Sequence, residues 1–198
     1  MSTRAKGGNA RGPAGGRPGP ALTRVRAGRP TDAAALAQLG ALTFRESYGE
    51  HTPAEDLEAY IAENYNAPAQ AAELSAPDRA VFVAERGGVP IGFAMLGEGE
   101  PAPAGVPGQA RAIQLERIYV LQAAQRTGAG TALLRACLRE ARRRGARTLW
   151  LTAWSENHKA LSFYRHHGFR RVGTHPFRLG SLVFLDPVLA RSVGAPNG

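Results

Sequence analysis

A chain of 198 residues, 43% of them hydrophobic, is long enough for one folded domain and has no run of about 18 apolar residues that would span a membrane. Its net charge of +9 is uneven: Arg4, Lys6, Arg11, Arg17, Arg24, Arg26 and Arg29 come with no acid among them, whereas 18 bases face 16 acids from Pro30 onward. That near balance argues against a dedicated DNA-binding domain, and the single cysteine, Cys137, excludes an internal disulfide.

Residues 1–22 are rich in Gly, Pro, Arg and Ala, cannot bury a core, and are predicted to be a disordered basic tail. The tail lacks the apolar segment of a secretory signal, which, with unpaired cysteine usage, predicts a cytoplasmic protein. No Cys/His cluster with metal-ligand spacing occurs, so no metal is expected.

Thr31 or Asp32 can cap a first helix over residues 33–46, with Leu36, Leu39, Leu42 and Phe44 on one side. Thr52-Pro53-Ala54-Glu55 combines capping-box spacing with proline at the first helical position, and Leu57, Tyr60 and Ile61 supply the buried face of a second helix. Residues 67–74 suggest a short third. The period then changes: residues 80–85 and 89–96 flank Gly87-Gly88 as an antiparallel hairpin, and 101–108 reads as an exposed Pro/Gly-rich loop.

Residues 113–120 read as a strand, and Leu133, Leu134, Cys137, Leu138 and Ala141 give residues 131–144 a helical stripe in which Cys137 is buried. A strand follows at 148–154. Residues 157–167 then form a helix with Ala160, Leu161, Phe163 and Tyr164 apolar, stopped by Gly168. Residues 170–177 and 181–185 close the fold as a hairpin around Gly180. This order predicts an α/β (α+β) domain over 23–190, with 191–198 as a flexible C-terminus.

Between the 113–120 strand and the helix after it lies Gln125-Arg126-Thr127-Gly128-Ala129-Gly130. Gly128 and Gly130 let a ligand approach the backbone, and the first N–H groups of the helix lack partners, so the turn is an anion site. It is no P-loop, because Gly130 precedes Thr131-Ala132 rather than Lys-Ser/Thr. It is no dinucleotide fingerprint either: position 133 is Leu, and no acid lies between Glu140 and Glu156.

A second cluster, Asn157-His158-Lys159-Ala160-Leu161-Ser162-Phe163-Tyr164-Arg165-His166-His167-Gly168-Phe169, follows the turn. Together the two resemble the GCN5-related N-acetyltransferase (GNAT) superfamily, whose motif is Gln/Arg-x-x-Gly-x-Gly/Ala followed by an Asn…Ala…Phe-Tyr…Gly-Phe helix. The resemblance covers roughly Thr23 to Leu189. Thr43-Phe44-Arg45-Glu46-Ser47-Tyr48-Gly49, Pro53-x-Glu55-Asp56-Leu57, the strand from Leu115 to Val120, and Gly173-x-x-x-Phe177-x-x-Gly180 are in turn similar to the PaiA-type polyamine acetyltransferases.

The resemblance implies a mostly antiparallel mixed central sheet flanked by helices, with splayed central strands holding acetyl-CoA as co-substrate. It places the pantetheine arm along Ile118, Tyr119 and Val120, with a backbone N–H near Tyr119 or Val120 polarising the thioester carbonyl. It places the pyrophosphate on Gln125, Arg126, Thr127, Gly128, Ala129, Gly130 and Thr131, and gives Asn157 a bond to the pantetheine amide region. Arg135, Arg139 and Arg142 to Arg144 come within reach of the 3′-phosphate, although a solvated helix face also accounts for them.

An amine of lysine-like pKa is only about one part in a few thousand neutral at pH 7, so attack on a thioester needs roughly 4 to 5 kcal/mol of help in deprotonation. Glu116 is the candidate acceptor, directly or through water, against the alternatives of facing solvent or pairing with Arg117 or Arg111. Expelling a thiolate calls for an acid, and the resemblance makes Tyr164 that acid; the alternative is a core aromatic beside Phe163.

Spermidine or spermine is the substrate class that the narrower resemblance implies. Glu46, Glu50, Glu55, Asp56, Glu58 and Glu63, with no Lys or Arg between them, suit a polycation but also suit a solvated helix face. The partners expected are acetyl-CoA and a small amine, with no membrane; the superfamily's habit allows a homodimer. Two alternatives stay open: an acyl-CoA-binding regulatory protein whose basic tail contacts nucleic acid, and an acetyltransferase of protein N-termini, lysines or aminoglycosides.

Overall fold

Seven strands, β1 (Thr23–Ala27), β2 (Arg79–Arg86), β3 (Val89–Gly97), β4 (Ala112–Val120), β5 (Thr148–Thr152), β6 (Arg170–Leu179) and β7 (Leu182–Ser192), form one sheet in the order β1-β2-β3-β4-β5-β7-β6. They are seen in a computed structural model that describes residues 22–98 and 101–194. Every neighbouring pair is antiparallel except β4 and β5. That one parallel ladder is short: Ala112, Ile113 and Gln114 pair with Thr148, Leu149 and Trp150, and β4 then continues to Val120 paired with β3 but with no strand on its β5 side. The sheet therefore opens between its central strands.

Side-chain alternation sends Phe93 to one face and Ala94 to the other. On the first face lie α1 (Ala33–Tyr48), α2 (Ala54–Asn64) and α3 (Ala67–Ser75), with Leu36, Leu39, Phe44, Leu57, Ile61 and Tyr65 packed on Val83 and Phe93. On the second, α4 (Ala129–Arg143) buries Leu133, Leu134, Cys137, Leu138 and Ala141 against Leu96, Ile113, Leu115 and Leu149, and α5 (His158–His166) adds Tyr164. Each such side chain contributes about 1.5–3 kcal/mol when fully buried. Burial also pushes the Cys137 thiol far above its ordinary range, so it stays protonated.

A bulge in β4 sets up the site. Met95 pairs with Arg117 while Leu96 pairs with Leu115, leaving Glu116 as the extra residue. The phase shifts accordingly: Ile113 and Leu115 before the bulge, and Ile118 and Val120 after it, all pack on the α4 face. Glu116 and Arg117 fall consecutively on the face of α3, where Arg117 bonds Glu73 at 2.6 Å and Arg79 bridges Glu73 and Glu116.

Several expectations need correction. The edge strand β1 was not anticipated; its Arg26, counted with the basic tail, is held by Asp32 and Glu85. Asp32 precedes α1 but makes no capping bond, because its carboxylate accepts from Arg26 and from the Arg29 N–H. Thr52 does not cap α2: Pro53 is extended (φ −52°, ψ 136°) and is itself the N-cap, so Thr52 Oγ1 is buried without a partner. The 101–108 loop is not wholly exposed, since Val106 packs with Trp150 and Val188. β7 reaches Ser192 and Val193 is buried, so 191–193 belong to the fold rather than to a flexible end. The predicted tail, apart from exposed Leu22, and residues 195–198 lie outside the described residues.

Candidate active site

The opening beside β4 is lined by backbone. The Leu121 N–H bonds the Ile91 carbonyl of β3 at 3.0 Å. Strand alternation therefore turns the Tyr119 N–H and C=O toward β3 as well, and turns those of Ile118 and Val120 toward the opening. Of the three residues proposed for the pantetheine arm, Ile118 and Val120 offer free N–H groups there, and the suggestion of a Tyr119 N–H is corrected by this alternation. The Tyr119 ring points to the α1 face, where its hydroxyl bonds Tyr65 at 3.2 Å.

The glycine turn follows directly. Gln125 Nε2 donates to the Val120 carbonyl at 3.3 Å and Thr127 Oγ1 to the Ala124 carbonyl at 2.7 Å, tying the turn to the end of β4. Arg126 (φ 62°) and Gly128 (φ 87°) both take left-handed backbone, and α4 begins at Ala129. Two residues of positive φ just before a helix start expose successive N–H groups on one concave surface, which suits a phosphate group. A Cβ on Gly128 would meet nothing within 4 Å, so the space above the turn is open.

The second cluster packs against the first. Asn157 Oδ1 accepts from the Ala160 N–H at 3.0 Å, capping α5 and leaving its Nδ2 free. His167 lies 2.8 Å from the Phe163 carbonyl through Nδ1 and 3.2 Å from Thr131 Oγ1 through Nε2. Since a carbonyl can only accept, Nδ1 carries a proton, and Nε2 meets the Thr131 hydroxyl. His167 is thus a clamp between α4 and α5 as well as the end of α5.

Tyr164 is buried on the α4 face, and burial, with the nearby Tyr119, holds its phenol well above the ordinary range, so it remains protonated at neutral pH. Glu116 lies elsewhere. Its carboxylate fills the space a Cβ on Gly97 would need and lies 3.7 Å from Arg79. Burial raises its pKa against the opposing pull of Arg79 and Arg117. Its ion-pair partner is Arg79, rather than Arg117 or Arg111.

Of the five arginines on the α4 helix and its end, Arg143 and Arg144 turn to Glu140, and Arg144 also to Glu98. Arg135, Arg139 and Arg142 instead line a groove of about 600 Å³ shared with His166, His167 and Arg191. The acids of the N-terminal helices divide similarly. Glu46 accepts from the Gln122 N–H, Glu58 pairs with Arg45, and Asp56 accepts from Ser181 at the β6–β7 turn, leaving Glu50, Glu55 and Glu63 to solvent.

On the α1 face is an aromatic wall that the sequence reading missed. Tyr48 of α1 lies with its ring centroid 5.0 Å from Trp154 and 6.2 Å from Phe177, and Trp154 lies 6.3 Å from Phe184. Asp186 on β7, buried to 3% exposure, accepts from the Ser155 N–H at 3.1 Å beside Trp154. The sequence signal was a single acid in the otherwise apolar run Leu182–Ala190. Among the described residues no group of His, Cys, Asp and Glu could hold a metal, and no helix is long and apolar enough to cross a membrane.

Residues 37–169 match the model of the acetyltransferase (GNAT) family. An uncharacterized N-acetyltransferase of Mycobacterium tuberculosis is 32% identical over 163 residues, covering 82% of this chain and 99% of the relative. Among solved structures, PaiA N-acetyltransferase from Thermoplasma acidophilum in complex with coenzyme A superposes with a TM-score of 0.72 at 20% identity, covering 86% of this chain and 99% of that one. Salmonella typhimurium yncA, with its cofactor acetyl-CoA, superposes at 0.62 and 21% identity over 89% and 97%.

Proposed function

This chain belongs to the GNAT acetyltransferase family, and on that premise we propose that it moves the acetyl group of acetyl-CoA to a primary amine of a small cationic substrate of the polyamine kind, with Tyr164 as general acid. The observation that carries this reading is the continuous surface formed by the free edge of β4, the positive-φ turn before α4, and Tyr164 on the helix packed against that turn.

The donor set fits acetyl-CoA. Ile118 presents its N–H to an amide-bearing arm, leaving that of Val120 for the thioester; the turn from Gln125 to Thr131 presents N–H groups and the Arg126 charge to a pyrophosphate. Asn157 Nδ2 remains available to the arm. Arg135, Arg139 and Arg142 offer the 3′-phosphate a seat in their groove. When bound, acetyl-CoA supplies the activated acyl group.

In the reaction the amine nitrogen bonds the acetyl carbon and the carbon–sulfur bond breaks. The ammonium must lose two protons, one to free its lone pair and one from the nitrogen of the intermediate, the second passing through solvent to restore the Tyr164 phenol, and the sulfur must gain one. Val120 donates its N–H to the carbonyl oxygen as negative charge gathers there. Tyr164 gives its phenol proton to the departing sulfur, a role that its burial supports by keeping the phenol protonated. Glu116, with its pKa raised by burial, takes the amine proton through water, since its carboxylate is held by Arg79 over Gly97.

A screen of acetyl-CoA against spermidine, spermine, diamines, amino acids, aminoglycosides and peptides, read as free thiol release, tests the proposal. Amine-dependent release with the polyamines is expected; release with none of the panel overturns it, and release only with peptides or aminoglycosides moves the substrate class.

A further inference from the structure

Among the described residues two acids are buried, Asp32 and Asp186. Asp32 is neutralised by a two-point contact with Arg26. Asp186 has only the Ser155 N–H on Oδ1 and its cross-strand neighbour His175 on β6. A buried carboxylate without a cation is costly. Among the described residues Oδ2 has no protein donor, and it is not sealed from solvent.

Its surroundings are specific. Phe184, Asp186 and Val188 alternate onto the face of β7 that carries Trp154 and Trp150. The Ser155 bond fixes the carboxylate beside Trp154, and the Trp154 ring lies tilted against Tyr48 at 5.0 Å. Tyr48 connects this region to the reaction centre: its phenol, raised by burial, also feels Tyr119, Asp186, Tyr60 and Tyr164. A carboxylate among aromatic faces is the chemistry that holds an alkylammonium, the charge meeting the acid and the methylenes and cation meeting the rings.

We propose that Asp186 is the specificity-determining anion of the amine pocket, binding an ammonium group of the substrate while Tyr48, Trp154 and Phe184 cover its methylenes. The assignment rests on the acetyl-transfer reading and deepens it, separating the residue that holds the amine from Tyr164 and Glu116, which move protons.

The test compares the full chain with Asp186→Asn, which keeps an acceptor for Ser155 and removes the charge, and Asp186→Glu, which retains it. Spermidine, 1,4-diaminobutane and butylamine are titrated by calorimetry and assayed for turnover, with O-butylhydroxylamine, neutral at pH 7, as a probe of similar length. Asp186→Asn should weaken spermidine binding and raise its KM by about 30-fold or more. Its kcat at saturating amine, the KM for acetyl-CoA and all constants for O-butylhydroxylamine should stay within about twofold, and Asp186→Glu should recover part of the loss.

The proposal is overturned if the spermidine constants of Asp186→Asn stay within about twofold of the parent, if the neutral probe loses as much as the cations, if kcat falls with KM unchanged, or if the parent binds none of the three cations. Should the parent bind them but acetylate none, the acetyl-transfer reading fails while calorimetry still judges Asp186.

Discussion

The ring of Phe163 lies 3.5 Å from the position a Cβ would take on Gly130, so α5 rests directly on the first turn of α4. That contact, with the His167 clamp to Thr131, fixes the helix carrying Tyr164 to the turn that presents the N–H groups. Tyr164 and the glycine turn therefore form one rigid unit.

Tyr164→Phe keeps the ring in its packed place and removes only the hydroxyl. Turnover should fall by about 100-fold or more, as expected for loss of a general acid, while the Kd for CoA changes by less than about twofold. Steady-state kinetics beside calorimetry check this; equal turnover removes Tyr164 from the chemistry.

Gly128→Ala meets no steric obstacle, but its φ of 87° is disfavoured for a residue with a Cβ. The variant should lose about 1 kcal/mol of stability, which for a chain of this size is about 2–4 °C in Tm. The turn should also relax and bind acetyl-CoA about tenfold more weakly, a loss of about 1.4 kcal/mol. Thermal melts and calorimetry measure the two effects separately.

Arg135→Ala combined with Arg139→Ala should raise the Kd for CoA by about tenfold at low salt, as two charge-assisted contacts to a phosphate are removed. Affinity for dephospho-CoA should be unchanged, and added salt should shrink the difference. Equal losses for the two ligands would move the 3′-phosphate away from this groove.

Burial holds the Asp186 carboxyl above its ordinary range, against the Ser155 N–H and His175. The folded state therefore binds this proton more tightly than the unfolded chain, and ionisation removes stability as pH rises through the folded pKa. Asp186→Asn avoids that loss, so it should melt higher than the parent at pH 7. The margin should close as pH falls toward the ordinary aspartate range, where the acid is neutral in both states. Tyr48 and His175 face the same carboxyl. Paired thermal melts from pH 4 to pH 8 show it.

What could be read from the sequence was what lies close in the chain. The α4 stripe, the hairpin at Gly87-Gly88, the glycine turn and the Asn157 to Phe169 helix are local patterns, each decided by side-chain period or turn chemistry within some fifteen residues. β1 was hidden because Thr23-Arg24-Val25-Arg26-Ala27 has one strong β-former, and its arginines resemble the tail; only pairing with β2 makes it a strand. The Thr52 cap failed because Pro53 took an extended backbone. Asp186 was out of reach for another reason: its role depends on β7 meeting α1 and the residues after β5, contacts more than thirty positions apart with no motif of their own. The β4 bulge was also invisible, since register shifts are set by the partner strand rather than by the bulged residue.

The account stands most directly on the fate of the acetyl group. Acetyl-CoA carrying isotopically labelled acetyl is incubated with the protein and spermidine, thiol release is followed, and the amine is examined by mass spectrometry. The account predicts one labelled acetyl on spermidine nitrogen for each thiol released, with release abolished when spermidine is omitted. Thiol release that proceeds equally without amine, or CoA binding with the label never leaving the thioester for any amine, would contradict it.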